Sequence, residues 1–105
     1  MAEVPDRIIH IINQFIAKLE DSKIKVERAF LFGSYAHGTF NNWSDIDLAI
    51  VSTAFEGERF ADRDKIRRIK LSVSCDLEPI PYNPLDFNSN NPFVNRILKT
   101  GIRVA

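Results

Sequence analysis

The sequence predicts a small α/β domain, a mixed sheet flanked by helices, and three observations predict it. The N-terminal stretch repeats Ile, Phe and Leu at helical spacing. Two short apolar runs, 26–32 and 45–51, read as buried strands. Helical patterns recur after the second run. Helix-period and strand-period segments interleaved in a chain of 105 residues describe helices packed on a sheet. That length is near the commonest domain size, so residues 1–105 are expected to form one domain.

From Pro5 to about Glu20, residues Ile8, Ile9, Ile11, Ile12, Phe15, Ile16 and Leu19 recur at intervals of three and four, one apolar face of a helix. Pro5 suits its first turn. Val26 to Phe32 ends in Ala-Phe-Leu-Phe and stops at Gly33, a buried strand. Ser34 to about His37 is a tight turn or helix start closed by Gly38. The turn formers Asn41, Asn42 and Ser44 precede Asp45 to Val51, a second strand buried on both faces over its later half. Glu56 to about Ser72 carries Phe60, Ile66 and Ile69 among many charges, a helix with a broad solvated face. Cys75 to Pro81 is a third short strand ended by prolines, and Pro92 to Lys99 a last helix stopped by Gly101.

Hydrophobic residues at 45% and charged residues at 27% exclude a disordered or fibrous chain. Lys plus Arg and Asp plus Glu number 14 each, so there is no global basic field of the kind that drives nonspecific nucleic-acid binding. The single cysteine, Cys75, has no partner for a disulfide and no metal-ligand spacing, and it reads as a small buried apolar residue. The N-terminus shows no basic segment leading an apolar stretch, and Leu48–Val51 is far short of the ~20 apolar residues a membrane span needs. A cytoplasmic protein without membrane contact is expected.

Chemistry concentrates in two places. Side chains at i and i+2 of a strand share a face, so Asp45 and Asp47 present two carboxylates together while Ile46 and Leu48 point to the core. Adjacent anions repel, and proteins tolerate the arrangement where a cation or proton neutralises them. Magnesium, which takes one or two carboxylates plus substrate phosphates, is the natural neutraliser. Alone, an Asp-x-Asp is as readily a turn cap followed by a surface residue. Upstream, Gly33 and Ser34 leave a buried strand into a turn that exposes backbone N–H groups, a setting that suits an anion, with the Ser34 hydroxyl as a further donor. The plainer alternative there is a strand end with a helix cap.

Together, Leu31-Phe32-Gly33-Ser34-Tyr35-Ala36-His37-Gly38, then ten residues between Ser34 and Asp45, then Asp45-Ile46-Asp47-Leu48-Ala49-Ile50 resemble the signature of the polymerase-β-type nucleotidyltransferase superfamily. In length and layout the chain is most similar to its minimal nucleotidyltransferases, the MNT proteins encoded beside HEPN-domain toxins in prokaryotes. The resemblance is strongest over residues 29–52. It implies a polymerase-β-like nucleotidyltransferase fold and a site of two magnesium ions held by Asp45, Asp47 and a third carboxylate, Asp76, with Glu78 in reserve. It implies ATP as substrate, its phosphates gripped by Gly33 and Ser34, and AMP transfer to a hydroxyl of the cognate HEPN toxin, most often tyrosine, which silences the toxin. His37 stands where many relatives carry arginine, and an imidazole is a weaker phosphate clamp than a permanent guanidinium cation, which implies slower catalysis.

Two other readings stay open. One is a catalytically weak or inactive module that neutralises a HEPN ribonuclease by contact. The other is an enzyme of small molecules, against which the short stretch after the third strand argues. For Tyr35 and Trp43 packing is favoured over nucleotide contact. Arg63, Lys65, Arg67, Arg68 and Lys70, interleaved with Asp62 and Asp64, read first as a solvated helix face and second as a contact for an acidic partner or RNA.

Overall fold

A computed structural model of the chain describes residues 4–105, apart from the Arg59 side chain. Met1, Ala2 and Glu3, the start of the N-terminus read as free of a secretory signal, lie outside the described residues. The order of elements is α1 (Asp6–Asp21), β1 (Arg28–Phe32), α2 (Ser34–His37), β2 (Ile46–Val51), α3 (Arg59–Val73), β3 (Leu77–Tyr82), α4 (Pro92–Thr100) and β4 (Ile102–Arg103). Among the described residues, no helix is long and apolar enough to cross a membrane.

The strands form one mixed sheet in the order β3-β2-β1-β4. β1 pairs antiparallel with β2 and with β4, while β2 pairs parallel with β3. A parallel neighbour needs a crossover, and α3 supplies it between β2 and β3. Alternation then sorts the strand residues onto two faces. Ala29, Leu31, Ile46, Leu48, Ile50 and Leu77 join Ile8, Ile12, Phe15 and Leu19 of α1 and Ile66 of α3 in the main core. Phe30, Ala49 and Val51 lie on the opposite face against Phe87 and against Val94 and Ile97 of α4. β2 is thus buried from both sides over its later half, as its unbroken apolar run predicts. Burying each large side chain of this core stabilises the fold by about 1.5–3 kcal/mol before conformational entropy is counted.

Local signals explain where the elements start. Asn91 caps α4, its side chain accepting from the N–H groups of Phe93 and Val94, and Pro92 fills the first turn. Glu58 caps α3 in the same way, bonding the N–H groups of Phe60 and Ala61. The buried Asp62 carboxylate accepts from the backbone of Glu56 at 2.8 Å and of Gly57 at 2.9 Å, tying the loop after β2 to the start of α3. Lys18 of α1 donates to Ser72 of α3 at 3.2 Å, a link between the two helices over the main core.

Three expectations differ from what is observed. Phe60, read with Ile66 and Ile69 as the apolar content of the middle helix, is 79% exposed, because at ~100° per residue it lies about 120° round the helix from Ile66 and about 180° from Ile69, off the stripe that meets the core. Cys75 is exposed rather than buried, since it lies in the turn before β3 and not in the strand. That strand runs to Tyr82, straight through the prolines expected to end it. Ile46 donates its N–H to the Asp76 carbonyl at 2.8 Å, and Ser52 its N–H to the Tyr82 carbonyl at 3.0 Å. The even-numbered residues of β3 therefore turn their backbone polar groups toward β2, and Pro79 and Pro81 face outward, where no donor is required.

Candidate active site

The site lies at the end of the sheet where β1 runs out and β2 begins. Phe32, Asp47 and Glu78 are register partners on three neighbouring strands, so one row across the sheet carries an aromatic ring and two carboxylates on the same face. Asp45 precedes β2 on that face and is exposed, while Asp47 is half-buried. Continuing the register by one step outside the strands sets Asp76 beside Asp45. Asp76 is exposed in the turn before β3, its N–H donating to the Ser74 hydroxyl at 3.1 Å.

The Asp47 carboxyl is held above the usual carboxylate range, first by burial and then by the charges of Asp45 and Glu78. The two carboxylates read from the sequence as a repelling pair are therefore brought together. Glu78, read only as a reserve, acts on Asp47 directly. The parallel ladder runs unbroken through Pro79, so Glu78 keeps its place opposite Asp47. Glu78 also meets Lys70 of α3 at 3.8 Å across the edge of the sheet, a neighbour that no sequence spacing announces.

Gly33 is built into the same corner. Its φ of 75° and ψ of −149° lie where side-chain-bearing residues are strained, and a Cβ placed on it would collide with Asp47 Oδ2. The carboxylate and the turn are thus in contact. From Gly33 the chain enters α2, whose Ala36 and His37 N–H groups return to the Gly33 carbonyl at 3.1 Å each, leaving the N–H groups of Ser34 and Tyr35 at the open start of the turn. Tyr35 is core, stacked on Phe40 at 4.7 Å and accepting from Arg7 at 3.3 Å. Trp43, by contrast, is 90% exposed, not packed, because Asn41 and Ser44 fold the preceding loop on their own hydrogen bonds and leave the ring outside it. His37 is exposed.

All candidate ligands here are carboxylate oxygens, the donor type a hard divalent cation prefers, and Asp47 is raised first by burial and then by the like charges of Asp45 and Glu78. The residues fit magnesium in chemistry. Among the described residues, however, no three His, Cys, Asp or Glu side chains are gathered closely enough to hold a metal ion, so Asp45, Asp47 and Asp76 do not form the ready three-carboxylate cluster that the family pattern implies. A pair of carboxylates completed by phosphate oxygens accords better with this arrangement.

The family described as polymerase beta, nucleotidyltransferase matches residues 13–105. Two Methanocaldococcus jannaschii proteins, both provisionally named protein adenylyltransferases, are similar to the chain. One is 30% identical over 105 residues, covering 90% of this chain and 69% of the relative. The other is 31% identical over 102 residues, covering 92% and 98%. Among solved structures, a provisionally named nucleotidyltransferase from Sulfolobus solfataricus shares the fold with a TM-score of 0.67 at 19% identity, over 92% of this chain and 78% of that one. A toxin–antitoxin solved with AMP-PNP gives 0.62 at 22% identity, and a mutant of the toxin–antitoxin MntA-HpeT 0.62 at 20%, each over 89% of this chain and 71% of the other.

Proposed function

The chain belongs to the polymerase beta nucleotidyltransferase family, and on that premise we propose that it transfers AMP from ATP to a hydroxyl acceptor, a tyrosine of a cognate HEPN-domain toxin, and so acts as an antitoxin in the cytoplasm. The observation that carries this reading is the contact between the Gly33 turn and the Asp47 carboxylate, with Asp45 beside it. It sets a phosphate-binding turn against a cation-binding pair, the juxtaposition that a metal–triphosphate substrate requires. The provisional names of the two relatives support AMP as the group moved and protein as the acceptor. The toxin–antitoxin neighbours support the partner class.

In this mechanism Asp45 and Asp47 would hold magnesium, which when bound polarises the phosphoryl oxygens. Ser34 and the turn N–H groups orient the triphosphate so that the α-phosphorus faces the acceptor. The acceptor oxygen bonds to that phosphorus, and the bond to the oxygen bridging to the β-phosphate breaks, releasing pyrophosphate with the bonding pair. The acceptor proton passes to the third carboxylate, which is Asp76 by the family pattern and Glu78 by the register of β3. Phe32 shields the row from solvent on its β1 side, with Phe93 edge-on to it at 5.6 Å.

The test is labelled ATP with magnesium and the HEPN-domain partner, read by mass spectrometry of the partner. A gain of one AMP on tyrosine is expected. Neutralisation of the toxin without any gain would instead mark a protein that acts by contact. In the same assay Glu78→Gln is expected to lose about tenfold or more in transfer beyond Asp76→Asn, with ATP affinity kept in both, because a proton acceptor acts in the transition state rather than in ground-state binding. The opposite order would return the role to Asp76.

Ser34→Ala tests the turn. Losing one charge-assisted hydrogen bond should weaken ATP binding by about 1.5 to 3 kcal/mol, measured by calorimetry in magnesium. Parental affinity would reduce Gly33-Ser34 to a strand end.

A further inference from the structure

α3 distributes its cations unequally. Lys65 is engaged within the fold, donating to the Ala54 carbonyl at 2.9 Å with Glu56 at 3.6 Å and Asp62 at 3.8 Å. Arg63, Arg67 and Lys70 recur at i, i+4 and i+7 on one side of the helix and line a groove of about 300 Å³ between α3 and the outer edge of β3. Among the described residues, neither Arg63 nor Arg67 has an ion-pair or hydrogen-bond partner, although Asp64 also lines the groove. Lys70 sits at the inner end against Glu78, the residue that faces Asp47 in the carboxylate row. Glu78 is therefore the residue common to the groove and the carboxylate row.

We propose that this groove docks an acidic segment of the protein that carries the acceptor hydroxyl, with carboxylates of that segment on Arg63 and Arg67. The proposal rests on the transfer reading for its acceptor and on the groove alone for its docking. Arginines present planar, bidentate donors to carboxylates, and two of them stand unengaged here. Leu71, 54% exposed, offers apolar contact beside them. Among the described residues no aromatic side chain lines the groove, so it offers no stacking platform of the kind single-stranded nucleic acid uses, and the chain as a whole has no excess of positive charge. From Arg63 to Lys70 the helix rises ~10 Å. An extended segment spans that distance in about three residues, so its acidic side chains should lie within a few positions of the acceptor.

The test uses three fluorescent probes: a peptide with one tyrosine flanked by glutamates, the same peptide with glutamines, and an oligouridylate of equal charge. Anisotropy should show the glutamate peptide binding about tenfold more tightly than the glutamine peptide at low salt. The variant R63E/R67E should erase that difference while its ATP affinity stays parental. Equal binding of the two peptides, discrimination that survives charge reversal, or tighter binding of the oligouridylate overturns the proposal. Incubating the bound glutamate peptide with labelled ATP separates the two readings. A peptide that docks but gains no AMP leaves the groove assignment standing and counts against transfer to this class of acceptor.

Discussion

Replacing Asp45 and Asp47 together with asparagine is expected to abolish transfer and to raise the thermal stability of the protein. Loss of the cation site removes several kcal/mol of transition-state stabilisation, and at about 1.4 kcal/mol per decade the rate should fall roughly a thousandfold or more. The stability gain follows from the direction of the Asp47 shift. A carboxyl whose folded value is raised favours the native state only while protonated, so the wild type loses that contribution as pH climbs through the normal carboxylate value and the raised one. The charged form of Asp47 bears the cost of burial first and of the neighbouring Asp45 and Glu78 charges second, and the asparagine variant is free of that cost. Calorimetric unfolding should therefore show the variant melting higher at pH 7, with the advantage fading as pH falls through the raised value and gone below about pH 4. Magnesium should lift the wild type and leave the variant unmoved. A variant that melts lower at pH 7, or one that still responds to magnesium, would remove these residues from the cation site.

The second large effect is expected at Gly33. Gly33→Ala places a Cβ at a positive φ and against the Asp47 carboxylate. The dihedral strain costs about 1–3 kcal/mol whatever its surroundings. The collision adds to this, and it is relieved only if Asp47 swings out of the row, so the variant should keep its fold and lose at least about a hundredfold in transfer. A double-mutant cycle separates the two contributions. Gly33→Ala should destabilise an Asp47→Ala background less than the wild type, since the collision is gone while the strain remains. Equal costs in both backgrounds would show that the turn and the carboxylate are not in contact in solution.

Much of this arrangement is legible in the sequence because strong periodicities carry it. Ile8, Ile12, Phe15 and Leu19 announce the buried stripe of α1, and the apolar run from Ile46 to Val51 a strand covered on both faces. Gly33 and the Asp pair are readable because each residue type answers a specific demand. The rest depends on partners distant in sequence. β4 has two residues, too few to show alternation, and exists only because β1 offers it an edge. The position of Glu78 opposite Asp47 is a matter of register, which becomes visible once β2 and β3 pair. Lys70 gains its meaning from the packing of α3 beside β3. Trp43 shows the converse limit, since its size suggests burial while the loop around it satisfies itself.

The outward placement of Pro79 and Pro81 has a further consequence for the life of the protein in a crowded solution. An outermost strand is a template on which a foreign or identical chain can continue the ladder, the first step toward fibrils. At the two proline positions β3 has no amide hydrogen to give such an intruder, so a strand laid against it would find acceptors without donors. Replacing both prolines with valine would restore those donors while raising β propensity. The cost would surface as self-association on warming rather than as a change within the monomer.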